Sequence, residues 1–215
     1  MSGVITRLVA RQRQPDRVEV HVDGRYAFVL ADVEAARLRV GQTLSEAEWA
    51  ELRQRAAETR AFDRAVRLLS LRPRSRFEIE SRLRREGLGT AAIDAALARL
   101  ERLGYLDDTA FARWWVEHRR RFSPRGRQAL YQELRQKGVA RPLIEIALGD
   151  FDGDEEAVAA GRQRASRWAH LPPTEFARNM MAFLCRRGFD SDTARRATAR
   201  LWRELGAESD PFPLD

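Results

Sequence analysis

The sequence predicts a mainly α-helical protein, in which tandem three-helix repeats form an elongated, curved array behind a small N-terminal extension of a β-hairpin and a helix. Two observations lead to this prediction. A segment of leucine, three mainly polar residues and glycine occurs three times at intervals of about fifty residues, ending at Gly87, Gly138 and Gly188. Before these repeats, residues 4–30 alternate polar and apolar side chains, as strands do.

The N-terminal extension is predicted over residues 1–56. Residues 17–22 and 26–30 read as two strands, and Asp23-Gly24 between them favours a tight hairpin turn because both positions of a type I′ turn need positive φ. Residues 4–9 are a candidate third strand. Ser45 with Glu48 fits a capping box, which predicts a helix from that point.

Three repeats are predicted to follow, at residues 57–105, 106–152 and 153–206, with a disordered tail at 207–215. In the first, an apolar stripe marks helix one (Phe62, Ala65, Val66 and Leu69), and a capping box of Ser75 and Glu78 opens helix two.

In the second repeat, we expect Ser123-Pro124 to open helix two and Pro142 to stand at the start of helix three. The third repeat is the most divergent, since Pro172-Pro173 interrupts its pattern. We interpret the acidic residues 150–156 as a linker between repeats.

Composition narrows the class of protein. An apolar share of 44% is typical of a globular chain, and no apolar run is long enough to span a membrane. The start of the chain lacks the apolar segment of a secretory signal, and Cys185 is the only cysteine, which excludes an internal disulfide. We therefore expect a cytoplasmic monomer.

Charge favours a polyanionic partner. The net charge is +7, and Lys137 is the only lysine among 39 basic residues. Guanidinium groups bind phosphate and carboxylate in bidentate fashion, so a surplus of arginine suits either kind of surface. A GC-rich genome would give the same bias without any functional cause.

Two longer segments resemble the RecX family. They are Pro73-Arg-Ser-Arg-Phe-Glu-Ile-Glu-Ser-Arg-Leu83 and Leu103-Gly-Tyr-Leu-Asp-Asp-Thr-Ala-Phe-Ala112, and residues 133–139 (Glu-Leu-Arg-Gln-Lys-Gly-Val) add to the resemblance. It extends over residues 61–148 and less closely over 1–56. The family resemblance implies three tandem three-helix repeats in a negative regulator of RecA.

The resemblance further implies that the chain binds the RecA filament on single-stranded DNA, with duplex DNA as a further candidate ligand. Such a protein inhibits the ATPase, strand exchange and co-protease activities of RecA, and so modulates recombination, DNA repair and the SOS response. It implies neither a cofactor nor a metal. Filament capping and binding along the filament groove both remain open.

Arginine clusters supply the candidate contacts with RecA or DNA. Two sets occupy the turn before the second helix in repeats 1 and 2, and the second set also includes the end of the preceding helix: Arg72, Arg74 and Arg76, and Arg119, Arg120, Arg121, Arg125 and Arg127. We expect the last two to lie at a helix N-terminus, where free N–H groups attract anions. The alternative is an ordinary solvated helix end.

An aromatic stripe precedes the second cluster. Phe111, Trp114, Trp115 and His118 recur at helical spacing, which indicates core packing more often than a base-stacking platform. Because two adjacent tryptophans cannot face the same way, we take Trp115 as the candidate exposed aromatic beside Arg119.

Signals of an enzyme are absent from the sequence. Lys137 lacks the glycine pattern of a phosphate-binding loop, and neither a nucleophile elbow nor a zinc helix occurs. We therefore predict a non-catalytic protein. The alternatives are a general DNA-binding protein with helix-turn-helix-like modules and, less favoured, an accessory of a nuclease or ligase.

Overall fold

The computed structural model describes residues 3–206 and divides the chain into two compact units, with the boundary between Asp107 and Asp108. The tail predicted at 207–215 lies outside the described residues. Over residues 3–206, none of the helices combines the length and the apolar character that crossing a bilayer requires.

A four-stranded antiparallel sheet opens the first unit. Its strands are β1 (Gly3–Arg11), β2 (Gln14–Val22), β3 (Arg25–Ala31) and β4 (Thr43–Leu44), in the order β3-β2-β1-β4. The turn between β2 and β3 has φ of 49° at Asp23 and 77° at Gly24, which confirms the predicted hairpin. Among residues 3–206, β3 therefore forms one edge of the sheet, and its outer side pairs with no further strand.

A single long helix links the sheet to the first repeat. After the short α1 (Asp32–Ala35), the helix α2 (Glu46–Leu69) begins with the predicted capping box of Ser45 and Glu48. Leu52 near its start joins the apolar core of the sheet, and Asp63 further along accepts a hydrogen bond of 2.8 Å from the buried Arg17 of β2. Residue 56, where we predicted the extension to end, lies inside α2.

The helices α3 (Arg76–Arg85) and α4 (Thr90–Arg102) complete the first unit. Five apolar side chains of these two helices are fully buried: Ile79, Leu83, Ile93, Leu97 and Leu100. The capping box of Ser75 and Glu78 is present as predicted. The apolar stripe predicted on helix one is wrong at Val66, which is exposed, whereas Phe62 and Ala65 are buried.

The second unit is helical throughout its described part. Its helices are α5 (Asp108–Phe122), α6 (Arg127–Gln136), α7 (Arg141–Ala147), α8 (Gly153–Trp168), α9 (Pro173–Arg186) and α10 (Ser191–Glu204). One apolar core lies among α5, α6 and α7, and a second among α8, α9 and α10. Phe151 packs against both cores, so the two groups of helices are joined within this unit.

The second helix of each repeat ends in the same way. Gly87, Gly138 and Gly188 have φ of 78°, 74° and 86°, the left-handed conformation that their recurrence predicts. In each case the amide after the glycine donates to a carbonyl five residues earlier, as Leu88 does to Leu83 at 3.3 Å. This bond reverses the chain and directs it into the third helix.

Three predicted local features differ in the structure. The helix α6 begins at Arg127 rather than at Ser123-Pro124, because the Ser123 amide donates to the Arg119 carbonyl (2.8 Å) and so extends the end of α5. Pro172 and Pro173 do not interrupt the third repeat, since they form the start of α9.

The acidic segment is likewise not a linker. Asp152 caps α8 by accepting from the Asp154 and Glu155 amides, and the acidic residues that follow it form the first turn of that helix. Acidic side chains are favourable at this end of a helix because its free N–H groups are positive.

Candidate functional site

The arginines in the turn before α3 and at the first position of that helix bind groups of their own unit. Arg72 donates to Glu78 (2.9 Å), and Arg76 donates to Glu101 of α4 (2.6 Å). Arg74 donates to the Leu68 carbonyl at 3.1 Å, and its burial lowers the pKa of its guanidinium from the ordinary value, with the neighbouring Arg72 adding to the effect. This cluster therefore holds the turn between α2 and α3 in place.

Trp115 lies within a group of charged side chains and is half-buried rather than fully exposed. Its indole N–H donates to Glu133 of α6 at 2.9 Å, and Arg119 donates to the same carboxylate oxygen at 2.8 Å. The Arg119 guanidinium lies 4.7 Å and the Lys137 ammonium 4.0 Å from the centre of the indole ring. Such cation–π contacts leave less of the ring free to stack on a base.

Arg120 connects α5 to α8. It donates to Glu156 at 2.6 Å, and the side chain of Glu156 is only 8% exposed. The hydrogen bond from Arg120 to Glu156 raises the pKa of Arg120 above its ordinary value. A buried carboxylate needs such a partner, so the contact contributes to the packing of the second unit.

Arg121 differs from its neighbours in the cluster. It is exposed, and its guanidinium lies 5.3 Å from the centre of the Phe122 ring, which is 66% exposed. Among residues 3–206 no carboxylate pairs with it. Phe122 also ends a row of rings along α5, at 4.9 Å from His118, which in turn is 5.2 Å from Trp114. The end of α5 thus presents a free cation beside an exposed ring.

Arg125 and Arg127 lie at the start of α6, as predicted, but that helix N-terminus is not free. Its capping residue Gly126 donates its amide to the Arg187 carbonyl at 2.9 Å, and the backbone at Gly188 lies directly against Gly126. The prediction of an open anion site at the start of α6 is therefore wrong, because the end of α9 covers this helix N-terminus.

The same two arginines also have partners inside the second unit. Arg127 donates to Glu145 of α7 at 2.9 Å and to the carbonyl of Leu148. Arg125 lies 3.9 Å from Glu133, and its Nε–H is buried without a hydrogen-bond partner in the described part of the chain. Of the eight candidate arginines, Arg121 is the one that the structure leaves most available to a partner.

The carboxylates that hold these arginines were not foreseen from the sequence. Glu133 lies 14 residues from Arg119 and Glu156 lies 36 residues from Arg120, each on another helix, so spacing along the chain gives no signal for them. An arginine run indicates a binding surface only after such partners have been identified.

Comparisons with known proteins agree with this architecture. The domain described as "RecX, first three-helix domain" matches residues 61–100, and "RecX, second three-helix domain" matches residues 107–148. Both matches fall on the repeats predicted around Gly87 and Gly138. The third group of helices, α8 to α10, lies beyond these matched ranges.

Relatives named regulatory protein RecX match over most of their length. The one from Chlorobium phaeobacteroides is 36% identical over 148 residues, which is 68% of this chain and 96% of the relative. The one from Lactobacillus delbrueckii subsp. bulgaricus is 32% identical over 218 residues, covering 99% of this chain and 80% of the relative.

Solved structures share the fold. A crystal structure of regulatory protein RecX covers 92% of this chain with a TM-score of 0.71 at 24% identity, and RecX from Lactobacillus salivarius covers 70% with a TM-score of 0.58 at 22% identity. The first of these structures matches this chain beyond the two three-helix domains. The sequence match to the relative from Lactobacillus delbrueckii also extends beyond them. The chain belongs to the RecX family of regulatory proteins.

Proposed function

We propose that this protein is a non-catalytic cytoplasmic regulator that binds the RecA filament on DNA and inhibits its ATPase, strand exchange and co-protease activities. In this role it modulates recombination, DNA repair and the SOS response. The observation that carries the proposal is the full-length match, at 32% identity over 99% of the chain, to a relative named regulatory protein RecX.

The end of α5 is the surface we propose for contact with the filament. Arg121 is exposed and free of ion pairs among the described residues, and Phe122 beside it exposes most of its ring. Arg119 adds N–H groups that its single carboxylate partner does not use, since a guanidinium has five donors. A cation next to an exposed ring is typical of protein–protein contact residues.

The first measurement is the DNA-dependent ATP hydrolysis of RecA while the full-length chain is titrated in. We expect inhibition at less than one molecule per RecA protomer, because a regulator that acts on a filament affects many protomers at once. ATP hydrolysis that stays unchanged up to a large excess of this chain would reject the proposal.

Arg121→Glu tests the surface directly. We expect inhibition to weaken about tenfold, since a charge-assisted contact is replaced by repulsion. Arg113→Glu is the matched control, because Arg113 is an exposed arginine of the same helix. Equal inhibition by both variants, each with a normal circular dichroism spectrum, would exclude this end of α5 as the contact surface.

A general DNA-binding protein is the second candidate function. Its support is the presence of three-helix domains, an arrangement that helix-turn-helix proteins also use. This candidate predicts DNA binding that needs no RecA and falls steeply with salt, together with no effect on ATP hydrolysis beyond competition for DNA. Raising the DNA concentration would then restore hydrolysis, whereas it leaves a filament regulator effective.

A further inference from the structure

The first unit contains a cleft that takes no part in the surface discussed above. It lies between the edge strand β3 and the helix α2, with Gly87 to Gly89 closing one side, and its volume is about 570 Å³. Residues 26–29 of β3 line it consecutively, so the strand contributes its backbone edge as well as side chains. The cleft lies wholly within the first unit.

Three arginines of α2 follow one another along this cleft. Arg53, Arg60 and Arg67 are exposed, all line the cleft, and are spaced every seventh residue, which places them on one face of the helix. At a rise of about 1.5 Å per residue they span about 20 Å. Among residues 3–206 none of the three side chains has an ion-pair partner.

Other charges of the cleft are already neutralised. Arg64 donates to Glu86 at 2.8 Å, and Arg11 donates to Glu19 at 2.9 Å. Asp63, the acidic residue of the lining, is occupied by Arg17. The net field of the cleft is therefore set by the three unpaired arginines, and it attracts anions.

An aromatic ring stands in the same cleft. Tyr26 of β3 is 58% exposed, and its described ring contact is an edge-to-face one with His21, at a centroid distance of 6.0 Å and an interplanar angle of 81°. A T-shaped contact leaves at least one face of the tyrosine ring uncovered. That face is a surface on which a planar base can stack.

We propose that this cleft binds single-stranded nucleic acid, with phosphates on Arg53, Arg60 and Arg67 and a base stacked on Tyr26. A row of cations that follows a groove, combined with an aromatic platform, is how proteins hold single strands without regard to sequence. A duplex fits less well, because its bases are already stacked and cannot reach Tyr26. An acidic polypeptide would engage the arginines but leave the ring without a role.

This inference deepens the proposed function, since it names where the DNA strand of the filament is held. Its test uses no RecA, so the two proposals can fail separately. A wild-type chain that inhibits RecA but does not bind single-stranded DNA would reject the cleft alone. Strand binding without inhibition would reject the proposed function alone.

The experiment measures binding of a labelled twelve-nucleotide oligothymidylate to the full-length chain by fluorescence anisotropy, between about 50 and 200 mM salt. The test variant carries Arg53→Gln, Arg60→Gln and Arg67→Gln, because glutamine preserves the helix propensity of α2. We expect its affinity to fall at least tenfold, and the slope of log affinity against log salt to decrease by about 2, since each phosphate contact on a single strand contributes about 0.7.

The matched control carries Arg7→Gln, Arg37→Gln and Arg102→Gln. These arginines are exposed residues of the same unit that do not line the cleft, so the change in net charge is identical. We expect the control to lose less than threefold in affinity. Equal losses in the test and control variants would overturn the proposal, because they would show attraction by net charge alone.

Tyr26→Ala separates stacking from charge. We expect it to weaken strand binding about fivefold or more while leaving the salt slope unchanged, as loss of a stacked base does. An unchanged affinity would overturn the stacking role. Duplex binding as tight as strand binding, or displacement of the strand by polyglutamate at an equal concentration of charge, would assign the cleft to another class of ligand and overturn the proposal as a whole.

Discussion

Gly126 lies where the backbones of α6 and α9 are in direct contact. It caps α6, and a Cβ at this position would overlap the carbonyl group of Gly188 at the end of α9. The Gly126 amide donates to the Arg187 carbonyl, and the Arg187 guanidinium returns to the Pro124 carbonyl at 3.1 Å. A hydrogen atom is all that fits between these two backbones.

Gly126→Ala therefore should destabilise the second unit by about 2 kcal/mol, the cost of overpacking a close contact. The measurement is hydrogen exchange of the amides beside each substitution, in α6 and α9 for Gly126→Ala and in α3 and α4 for Gly89→Ala. Gly89→Ala is the control, because Gly89 caps α4 with a similar backbone conformation and has open space around it. It should cost at most about 1 kcal/mol, and equal effects of the two substitutions would contradict the role of the contact.

Arg120 and Arg121 are adjacent in sequence yet differ in what they contact. Arg120→Ala leaves the buried Glu156 without its partner and should cost about 1–3 kcal/mol of stability. Arg121→Ala should change stability by less than about 0.5 kcal/mol, because no ion pair is lost. Urea denaturation monitored by tryptophan fluorescence compares the two, and similar losses would mean that the Arg120–Glu156 pair adds little.

This difference also changes how the arginine run should be tested. Reversing the charge of Arg119, Arg120 and Arg121 together, which the sequence suggests, would disturb the contacts to Glu133 and Glu156 as well as any partner. A triple reversal that keeps its full stability would contradict this argument. The single substitution at Arg121 avoids the difficulty.

Helix starts and ends show which elements a sequence can predict. The capping boxes at Ser45 and Ser75 and the positive-φ glycine after each second helix were predicted correctly, since they depend on residues within one turn. The start of α6 was misplaced because the Ser123 amide continues the end of α5, and because Gly126, which caps α6, donates to the distant Arg187 carbonyl. Features that depend on residues within one helical turn can be predicted from a sequence, whereas contacts between repeats cannot.

The same difference between local and distant contacts explains how much of the candidate site could be predicted from the sequence. The sequence could identify the arginine clusters, but their availability depends on carboxylates that other helices supply. The cleft beside α2 was missed for a related reason, since Arg53, Arg60 and Arg67 become a set only when α2 lies against β3. Their seven-residue spacing was the one signal in the sequence that could have pointed to it.

Glu86 connects two helices through charge and gives the first unit a dependence on pH. It accepts from Arg64 of α2 at 2.8 Å and from Arg82 of α3 at 3.0 Å, and the hydrogen bond from Arg64 is the main reason that its pKa lies below the ordinary value. Since the folded pKa is below the unfolded value of about 4.3, the stabilisation is present above that pH and is lost as pH falls through the folded pKa.

Glu86→Gln should therefore lower the free energy of unfolding near neutral pH, with a deficit relative to wild type that shrinks as the pH falls through the folded-state pKa of Glu86. Urea denaturation at several pH values measures this deficit. Glu51→Gln provides the control, because Glu51 is mostly exposed and its ion pair within the described part of the chain is with Arg55, one turn away. A deficit for Glu86→Gln that stays constant with pH would contradict the assigned cause.

Across the molecule, prediction from sequence succeeded at the level of architecture. The mainly helical fold, the strand-rich start and the three-helix domains all followed from periodicity and turn residues. The division into repeats at residues 57, 106 and 153 remains a prediction, and α2 is continuous through the first of these boundaries. Because α2 contributes apolar side chains to two successive cores, its hydrophobic pattern has no break at the predicted boundary.

Truncation after Gly149 tests how the second unit depends on its last three helices. Removal of α8 to α10 takes away Glu156, the partner of Arg120, and uncovers the start of α6. We expect faster hydrogen exchange throughout α5 to α7 in the truncated chain than in the full chain. Unchanged exchange would show that these helices are stable alone, and RecA inhibition by the truncated chain would show whether the last repeat is needed for function.

The glycine contact between α6 and α9 gives the repeats a fixed order. In the first repeat, the residue that caps the second helix is Ser75, whereas in the second repeat it is Gly126. A chimera in which the first repeat took the place of the second, directly ahead of the third, would force a serine side chain into the backbone of residue 188. The first repeat therefore cannot replace the second ahead of the third, unless the residue that caps its second helix is first changed to glycine.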